Sequence, residues 1–321
     1  MTAVTDEERD GVALSSLDSP LGDGLGVTKR QLVDYLDAVA GRLVPQLAGR
    51  PLSVKRVRPG QPPFMQRNVS KGAPEWVRTV PMWSEGSHRE IAQVLCDDHR
   101  TLLWLGNQRA VELHVPFLRA GERAPTGLVL DLDPPDGAGF AVVVATARLV
   151  RRALASAGLA GAVKTSGSSG VHVVVPVTGS PVEDVAAATR ALAARTAALD
   201  PALATTAYLL EDRGGRVFVD STRSGQATIA APYSPRLRRG LPVSFPVGWD
   251  ELDEVDPGDF TITSAPGLLG DADPWVEALP EPQRLPADLV AEGHGIPVAR
   301  VQAMHEGKRR KRARESGSTP G

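Results

Sequence analysis

Cysteine is almost absent from this sequence, since Cys96 is the only one among 321 residues. A single cysteine excludes an internal disulfide framework and a zinc site made of cysteines alone, and it fits a reducing cytoplasm. The first residues, MTAVTDEERD, are acidic and polar, so they lack the basic and apolar layout of a signal peptide. No apolar run approaches the roughly 20 residues that cross a bilayer. These absences predict a soluble, cytoplasmic protein with no membrane partner.

Charge is distributed unevenly along the chain. Residues 307–321 contain six Lys or Arg residues and one Glu, a charge of +5. Subtracting this from the net charge of −2 leaves −7 for the rest of the chain. A basic, flexible tail over 301–321 is typical of an arm that contacts phosphate backbones, and the alternative is a tail that is only solvated.

The pattern of apolar residues predicts the fold class. Residues 1–26 are rich in Gly, Asp and Ser and predict a loose leader before a main domain over 27–300. Thr28 and Gln31 have the spacing of a capping box and predict the start of a helix. Further helices are predicted over 100–108, 140–158 and 183–199, and strands over 52–57, 110–115, 127–133, 162–166, 171–177, 216–220 and 227–234. The segment 59–68 predicts turns, and 90–95 fits a strand or a helix. Because these elements follow no strict βαβ rhythm, we expect an α+β fold with a mixed or antiparallel sheet flanked by helices.

The stretch GLVLDLDPP, residues 127–135, places two acids on alternate positions of a predicted strand. Asp131 and Asp133 would project from the same face, roughly 7 Å apart. Neighbouring carboxylates resist joint ionisation unless a cation lies between them. Asp220 ends the predicted strand RVFVD and offers a third carboxylate. Three such oxygen ligands on adjacent strands could hold two Mg²⁺ or Mn²⁺ ions, whereas the alternative is an exposed strand end that runs into a Pro-Pro turn.

The stretch KTSGSSGVHVVVP, residues 164–176, predicts a tight loop between two strands. Gly167 and Gly170 allow the backbone amides to surround phosphate oxygens. Serine hydroxyls in the loop and the charge of Lys164 would add to such a site, although an ordinary hairpin has the same composition. The stretch is not a Walker A motif, because no G-K-[ST] follows.

Together with VFVDSTRSGQATIAAPYSPR, these motifs resemble in order and spacing the polymerase domain of bacterial DNA ligase D, a member of the archaeo-eukaryotic primase superfamily. The resemblance extends over roughly residues 27–290 and includes NQRAVELHVPF and QPPFMQRN. It implies that the catalytic, metal-binding residues are Asp131, Asp133 and Asp220. It implies nucleotide-binding roles for Ser166, Gly167, Ser168, His172, Arg236 and His114, to which the loop adds Lys164. It implies DNA-binding roles for Phe64, Lys29, Lys55, Arg56, Arg213 and Arg216, and Met65 stands beside Phe64 where the family often has a second aromatic residue.

The activity implied by this resemblance is the extension of DNA 3′ ends by nucleotidyl transfer, in end joining or gap filling. The implied cofactors are two Mn²⁺ or Mg²⁺ ions, the substrates are NTPs or dNTPs with ribonucleotides expected, and the implied partners are DNA ends or gapped DNA, a Ku-type end-binding protein and a separate DNA ligase. Action near the nucleoid is expected. The chain has no K-x-D-G motif, so we expect a stand-alone polymerase that is not itself a ligase.

Two departures from the family pattern favour alternatives. Ser169 stands where the family loop has a lysine, and the leader lacks the Asn and Lys that would bind a 5′-phosphate. A protein that binds DNA ends or nucleotides with weak or no synthesis is therefore the second hypothesis, and priming without a primer is the third.

Overall fold

Two β-sheets with helices packed against them form the body of the protein. The computed structural model describes residues 5–84, 87–225 and 227–298. The helices are α1 Lys29–Ala38, α2 Ala40–Leu47, α3 His99–Asn107, α4 Phe140–Ser156, α5 Val182–Leu199, α6 Ala265–Leu268, α7 Pro274–Ala278 and α8 Ala287–Gly295. The strands are β1 Thr5–Arg9, β2 Val12–Ser15, β3 Ser53–Arg58, β4 Gln61–Gln66, β5 Thr79–Ser84, β6 Arg89–Val94, β7 Ala110–Val115, β8 Gly127–Asp133, β9 Ala162–Thr165, β10 Val171–Pro176, β11 Ala204–Thr205, β12 Val217–Asp220, β13 Ile229–Ala230 and β14 Pro246–Val247. This mixture of helices and mainly antiparallel strands confirms the α+β prediction.

The first sheet has the strand order β11-β12-β8-β10-β9-β14. Its pairs are antiparallel except for β11 with β12. Strand β8 lies inside this sheet, between β12 and β10, and its aliphatic residues are buried. Helices α4 and α5 pack against β8 and against each other. Leu130 and Leu132 are fully buried, so the alternate positions Asp131 and Asp133 lie on the opposite side.

The second sheet has the order β13-β7-β3-β4. The prediction of turns over 59–68 was wrong for most of this segment, because Gln61–Gln66 forms strand β4. Pro62 and Pro63 conceal this strand in the sequence, yet proline is tolerated here because β4 pairs only with β3 and lies at the sheet edge. The ambiguous segment 90–95 contributes to β6, which pairs with β5 in a separate hairpin. Of the strand predicted over 227–234, only Ile229–Ala230 pairs as β13.

The leader is not loose over its described part. Strands β1 and β2 form a hairpin, and Leu14, Leu17 and Leu21 are fully buried in the core. Arg109 holds the following turn, since its guanidinium donates to the carbonyl oxygens of Pro20 and Leu21 at 2.8 and 2.7 Å. The prediction over 1–26 was therefore wrong for this segment, because its leucines follow neither a helical nor a strand period and gain burial only from tertiary contacts.

No helix in the described ranges is both long and apolar enough to cross a bilayer. The basic tail predicted over 301–321 lies outside the described residues. The domain limits of 27 and 300 stay a prediction.

Candidate active site

The three aspartates predicted from the sequence meet on one side of the first sheet. Strand β12 pairs with β8 so that Asp220 lies opposite Asp131, and Asp133 follows two residues along β8. Carboxylate oxygens from all three lie within 4.8 Å of one another. Asp220 is buried and Asp131 is nearly so. We refer to these three residues as the acidic triad.

The electrostatics of the acidic triad favour a bound cation. Burial and, after it, the charges of Asp131 and Asp220 together raise the pKa of Asp133 to about 7. Burial also acts to raise the pKa of Asp131, but the neighbouring His172 and the arginines outweigh it, so this pKa is lowered. A site with only oxygen donors and an excess of negative charge suits Mg²⁺ or Mn²⁺. The residues present therefore fit the divalent cations that the sequence implies.

Arg223 is a member of the site that the sequence reasoning missed. Its Nε lies 3.1 Å from Asp220 Oδ2 and 3.8 Å from Asp131 Oδ2. The Arg223 side chain is 45% exposed, whereas the Asp220 carboxylate that it contacts is buried. Its position three residues after Asp220, in the polar loop that follows the strand, is the signal that could have identified it.

The glycine-rich loop between β9 and β10 closes against β8 and Arg236. Gly167 has a φ of +70°, which favours glycine, and a Cβ added at Gly170 would lie 2.3 Å from the Leu132 carbonyl oxygen. Ser166 Oγ accepts hydrogen bonds from the amides of Ser168 and Gly170 at 3.2 and 3.1 Å. The Ser166 hydroxyl therefore stabilises the loop from within, while Ser168 is only half-buried and can reach a ligand.

His172 joins the loop strand to the acidic triad. It pairs with Asp131 across β10 and β8, and its Nε2 lies 3.4 Å from Asp131 Oδ1. Burial and the charge of Lys164 lower the pKa of His172 to about 4. The imidazole is therefore neutral at physiological pH.

Lys164 lies behind His172 and is fully buried. Its Nζ is 2.6 Å from His172 Nδ1 and 3.0 Å from the Ala230 carbonyl oxygen, and it also bonds Ser244 Oγ. Three acceptors match the three donors of an ammonium group, although burial lowers the pKa of this lysine well below its usual value. The structure thus places Lys164 as a support for His172, away from the mouth of the loop.

Glu112, which the sequence reasoning did not select, connects three predicted nucleotide- and DNA-binding residues. Its Oε2 lies 2.8 Å from His114 Nε2 and 3.2 Å from Arg236 Nε, and its Oε1 lies 3.8 Å from Lys55 Nζ. Burial would raise the pKa of Glu112, but the hydrogen bond with His114, the charge of Arg236 and the hydrogen bond from the Leu237 amide lower it to about 2. Arg236 also donates to the Ser166 carbonyl oxygen at 2.7 Å, so Glu112 and the glycine-rich loop share one arginine. The alternation of Glu112 and His114 in the predicted strand was the signal that could have identified Glu112, because residues two apart in a strand share a face.

The predicted DNA-contact residues of β4 lie on opposite faces of the second sheet. Met65 pairs with Lys55, whereas Phe64 pairs with Arg56. Met65 is half exposed and lies on the face that carries Lys55, Glu112 and His114. Phe64 is half-buried, with the Arg58 guanidinium 4.8 Å from its ring centroid.

Two of the predicted DNA-binding cations are buried structural groups in this conformation. Arg56 donates to Gln66 Oε1 and to the Gln108 carbonyl oxygen, both at 2.7 Å. Lys29 donates to the Ser15 carbonyl oxygen and to Asn107 Oδ1, both at 2.6 Å, and burial with the nearby Arg109 lowers its pKa to about 8. Lys29 therefore holds the N-terminal segment in place.

Arg213 and Arg216 lie in the loop before β12, beside the acidic triad. The Arg213 guanidinium stacks 4.0 Å from the centroid of Phe218, and Phe218 pairs with Asp133. Arg216 Nε donates to the Arg213 carbonyl oxygen at 2.7 Å. This loop is positioned to meet a polyanion that approaches Asp133.

Comparisons with known proteins identify relatives over most of the chain. Residues 28–275 match the family model of the LigD primase-polymerase domain. The multifunctional non-homologous end joining protein LigD of Mycobacterium bovis is 37% identical over 259 residues, which cover 76% of this chain and 34% of that protein. The bifunctional non-homologous end joining protein LigD of Bacillus subtilis is 33% identical over 254 residues, which cover 77% of this chain and 41% of that protein. The chain thus spans well under half the length of these curated relatives.

A solved structure shares the fold. The polymerase domain from Mycobacterium tuberculosis Ligase D, in complex with DNA, superposes with a TM-score of 0.68 at 36% identity and covers 78% of this chain and 90% of that one. Residues 28–275, which the family model matches, contain both sheets, the acidic triad and the glycine-rich loop. The chain therefore belongs to the LigD primase-polymerase domain family.

Proposed function

We propose that this protein is a DNA-dependent nucleotidyltransferase that extends DNA 3′ ends in double-strand break repair or gap filling. The observation that carries the proposal is the acidic triad, whose three carboxylates converge from β8 and β12 beside the glycine-rich loop. A protein that only binds DNA ends has no use for three neighbouring carboxylates. The alternative of binding without synthesis is therefore not favoured.

Each group in the site has a part in transfer. The primer 3′-hydroxyl would attack the α-phosphate of the incoming nucleotide in line, and pyrophosphate would leave. The half-buried Ser168, the loop amides and Arg236 would hold the triphosphate, and His172 would fix the orientation of Asp131. Bound between the carboxylates of the acidic triad, two Mg²⁺ or Mn²⁺ ions would neutralise the phosphates and lower the pKa of the attacking hydroxyl. Catalysis would rest on positioning and electrostatics, because the transfer needs no covalent enzyme intermediate.

Substrate choice and partners follow from the family. We expect DNA ends or gapped DNA as substrate, incorporation of ribonucleotides, and cooperation with a Ku-type end-binding protein and a separate ligase. The cytoplasmic, nucleoid-associated location remains a prediction.

Primer extension on gapped and blunt DNA, with Mn²⁺ or Mg²⁺, tests the proposal. We expect Asp131→Ala/Asp133→Ala to lower the extension rate by roughly 100-fold or more, because the charge that stabilises the transition state is lost. Asp136→Asn is the matched control, since Asp136 is exposed in the turn after β8 and should leave the rate unchanged.

Binding of Mn²⁺, followed by electron paramagnetic resonance of the free ion, gives a second measurement that does not depend on synthesis. It should be lost in the double variant and kept in the control. Wild-type protein that binds DNA and Mn²⁺ yet extends no primer would contradict the polymerase function and favour the end-binding alternative.

A further inference from the structure

A cavity of about 290 Å³ opens on the second sheet, outside the acidic triad. It lies between the β5–β6 hairpin and the segment 116–122, and its walls include Ser53, Arg67, Trp83, Gln93 and Arg119. None of the three aspartates of the acidic triad is among the residues that line it. We refer to it as the Trp83 cavity.

A buried hydroxyl in the wall of the Trp83 cavity is unsatisfied. Ser53 is 1% exposed, and its Oγ has no hydrogen-bond partner in the part of the chain that the structure describes. Buried polar atoms are nearly always paired, so an unpaired one at a cavity wall indicates a missing partner. Gln93 is also buried in this wall and donates through its Nε2 to the Leu52 carbonyl oxygen at 3.3 Å.

The rim of the Trp83 cavity combines an aromatic ring with positive charge. Trp83 is 60% exposed, an unusual state for so large an apolar side chain. Arg67 and Arg119 are also exposed at the rim. An aromatic platform flanked by guanidinium groups is the combination that binds single-stranded nucleic acid, because the ring stacks on a base and the cations contact phosphates.

The position of the Trp83 cavity connects it to the candidate active site. Ser53 pairs with His114 across β3 and β7, and directly paired residues project from the same face of a sheet. Lys55, two residues after Ser53, pairs with Met65 on β4. The cavity therefore opens on the face that presents Met65, Lys55 and His114, so a strand that crosses this face passes its mouth.

We propose that the Trp83 cavity binds one unpaired nucleobase of single-stranded DNA next to the position being copied. Trp83 stacks on the base, Ser53 and Gln93 present polar groups to its edge, and Arg67 and Arg119 contact the flanking phosphates. The inference rests on the proposed function, because it takes primer-template DNA as the substrate. The unpaired base can belong to a 5′ template overhang or to a 3′ protruding end.

Fluorescence of 2-aminopurine placed at single positions distinguishes the two strands. The full chain is titrated against three DNAs, with a 5′ template overhang, a 3′ overhang or blunt ends, in EDTA and without nucleotide. We expect one overhang position to lose fluorescence on binding, and Trp83→Ala to abolish this loss and weaken overhang binding about 10-fold with blunt binding unchanged. Arg67→Gln/Arg119→Gln should weaken overhang binding and reduce its salt dependence.

Two control variants isolate the cavity. Leu268→Ala removes an equally exposed apolar side chain elsewhere, and Arg148→Gln removes a cation of α4 that pairs with Asp253; both should bind all three DNAs as wild type does. Ser53→Ala should unfold at the wild-type temperature, since its hydroxyl has no internal partner, and should weaken overhang binding several-fold.

Equal weakening of blunt and overhang binding by Trp83→Ala, or fluorescence that changes at no single position, would overturn the proposal. Because no metal or nucleotide is present, a chain without synthesis activity can still pass this test, and Asp131→Ala/Asp133→Ala should pass it as well. The experiment therefore distinguishes an incorrect assignment of the Trp83 cavity from an incorrect polymerase function.

Discussion

At the scale of the residue, Glu112 shows how one buried carboxylate organises a cationic substrate site. Its carboxylate lies beside His114, Arg236 and Lys55, so one buried anion is shared by three side chains. Their contacts with Glu112 fix the His114 ring and aim the arginine at the glycine-rich loop. Glu112 is therefore a positioning residue whose loss would affect several phosphate-binding groups together.

The depressed pKa of Glu112 makes its contribution depend on pH. The pKa falls from 4.5 to about 2 in the folded protein, which corresponds to at most about 3 kcal/mol of stability. Because the folded pKa is the lower one, this stability is present above about pH 4.5 and is lost as the pH falls towards 2. We expect Glu112→Gln to be about 1–3 kcal/mol less stable than wild type at pH 7, with the difference narrowing by roughly half at pH 3 and closing only below about pH 2. Urea unfolding at the two pH values measures it.

Glu254→Gln is the control for this comparison, since Glu254 is exposed and its replacement should change stability at neither pH. A difference between Glu112→Gln and wild type that stays constant with pH would mean that packing, not the carboxylate charge, explains the loss.

At the scale of the element, the loop between β9 and β10 depends on close approaches that only glycine permits. A Cβ at Gly167 would lie 2.6 Å from Arg236 Cγ and 2.8 Å from the Ser244 amide nitrogen, at a φ of +70°. We expect Gly167→Ala to lower the free energy of unfolding by about 2–4 kcal/mol, from backbone strain and overpacking together. It should also raise the KM for nucleotide more than that for DNA, because Arg236 must move.

Gly158→Ala separates the two causes of this loss. Gly158 has a φ of +68° but no atom within 4 Å of an added Cβ, so its substitution should lower stability by about 1 kcal/mol from backbone strain alone. Urea unfolding and extension kinetics compare the two variants. If both variants lost the same free energy of unfolding, the close contacts at Gly167 with Arg236 and Ser244 would contribute nothing to the effect.

The elements also show what the sequence can reveal. Strands β8 and β12 end in acids that follow aliphatic runs, so local periodicity predicted that Asp131 and Asp133 share a face and that Asp220 ends a strand. The family resemblance assigned Asp220 to the same site, and the pairing of β12 with β8 brings it beside them. Phe64 and Met65 lie on opposite faces because β4 forms, and the prolines of β4 conceal that strand. Arg223 and Glu112 were missed because their roles arise from contacts between distant elements. Local patterns thus predict most elements and the paired aspartates of β8, whereas the approach of Asp220 and the supporting charges depend on the tertiary fold.

At the scale of the whole molecule, the N-terminal segment belongs to the core. Leu14, Leu17 and Leu21 are fully buried together with leucines of α1 and α3, and Lys29 of α1 donates to the Ser15 carbonyl oxygen. A loose leader could be altered without consequence, but a packed one cannot. The burial of Lys29 beneath this segment also explains why this lysine is bonded within the protein and does not face solvent.

We expect Leu14→Ala/Leu17→Ala to lower the free energy of unfolding by at least about 4 kcal/mol, since each buried leucine typically contributes about 2–5 kcal/mol. A domain of this kind has only about 5–15 kcal/mol in total, so the double variant should unfold at a much lower urea concentration and become sensitive to protease throughout the chain. Glu8→Ala/Asp23→Ala changes exposed positions of the same segment and should unfold as wild type does. Should the leucine and acid variants unfold at the same urea concentration, the segment would contribute nothing to stability, and the loose leader predicted from composition would be correct after all.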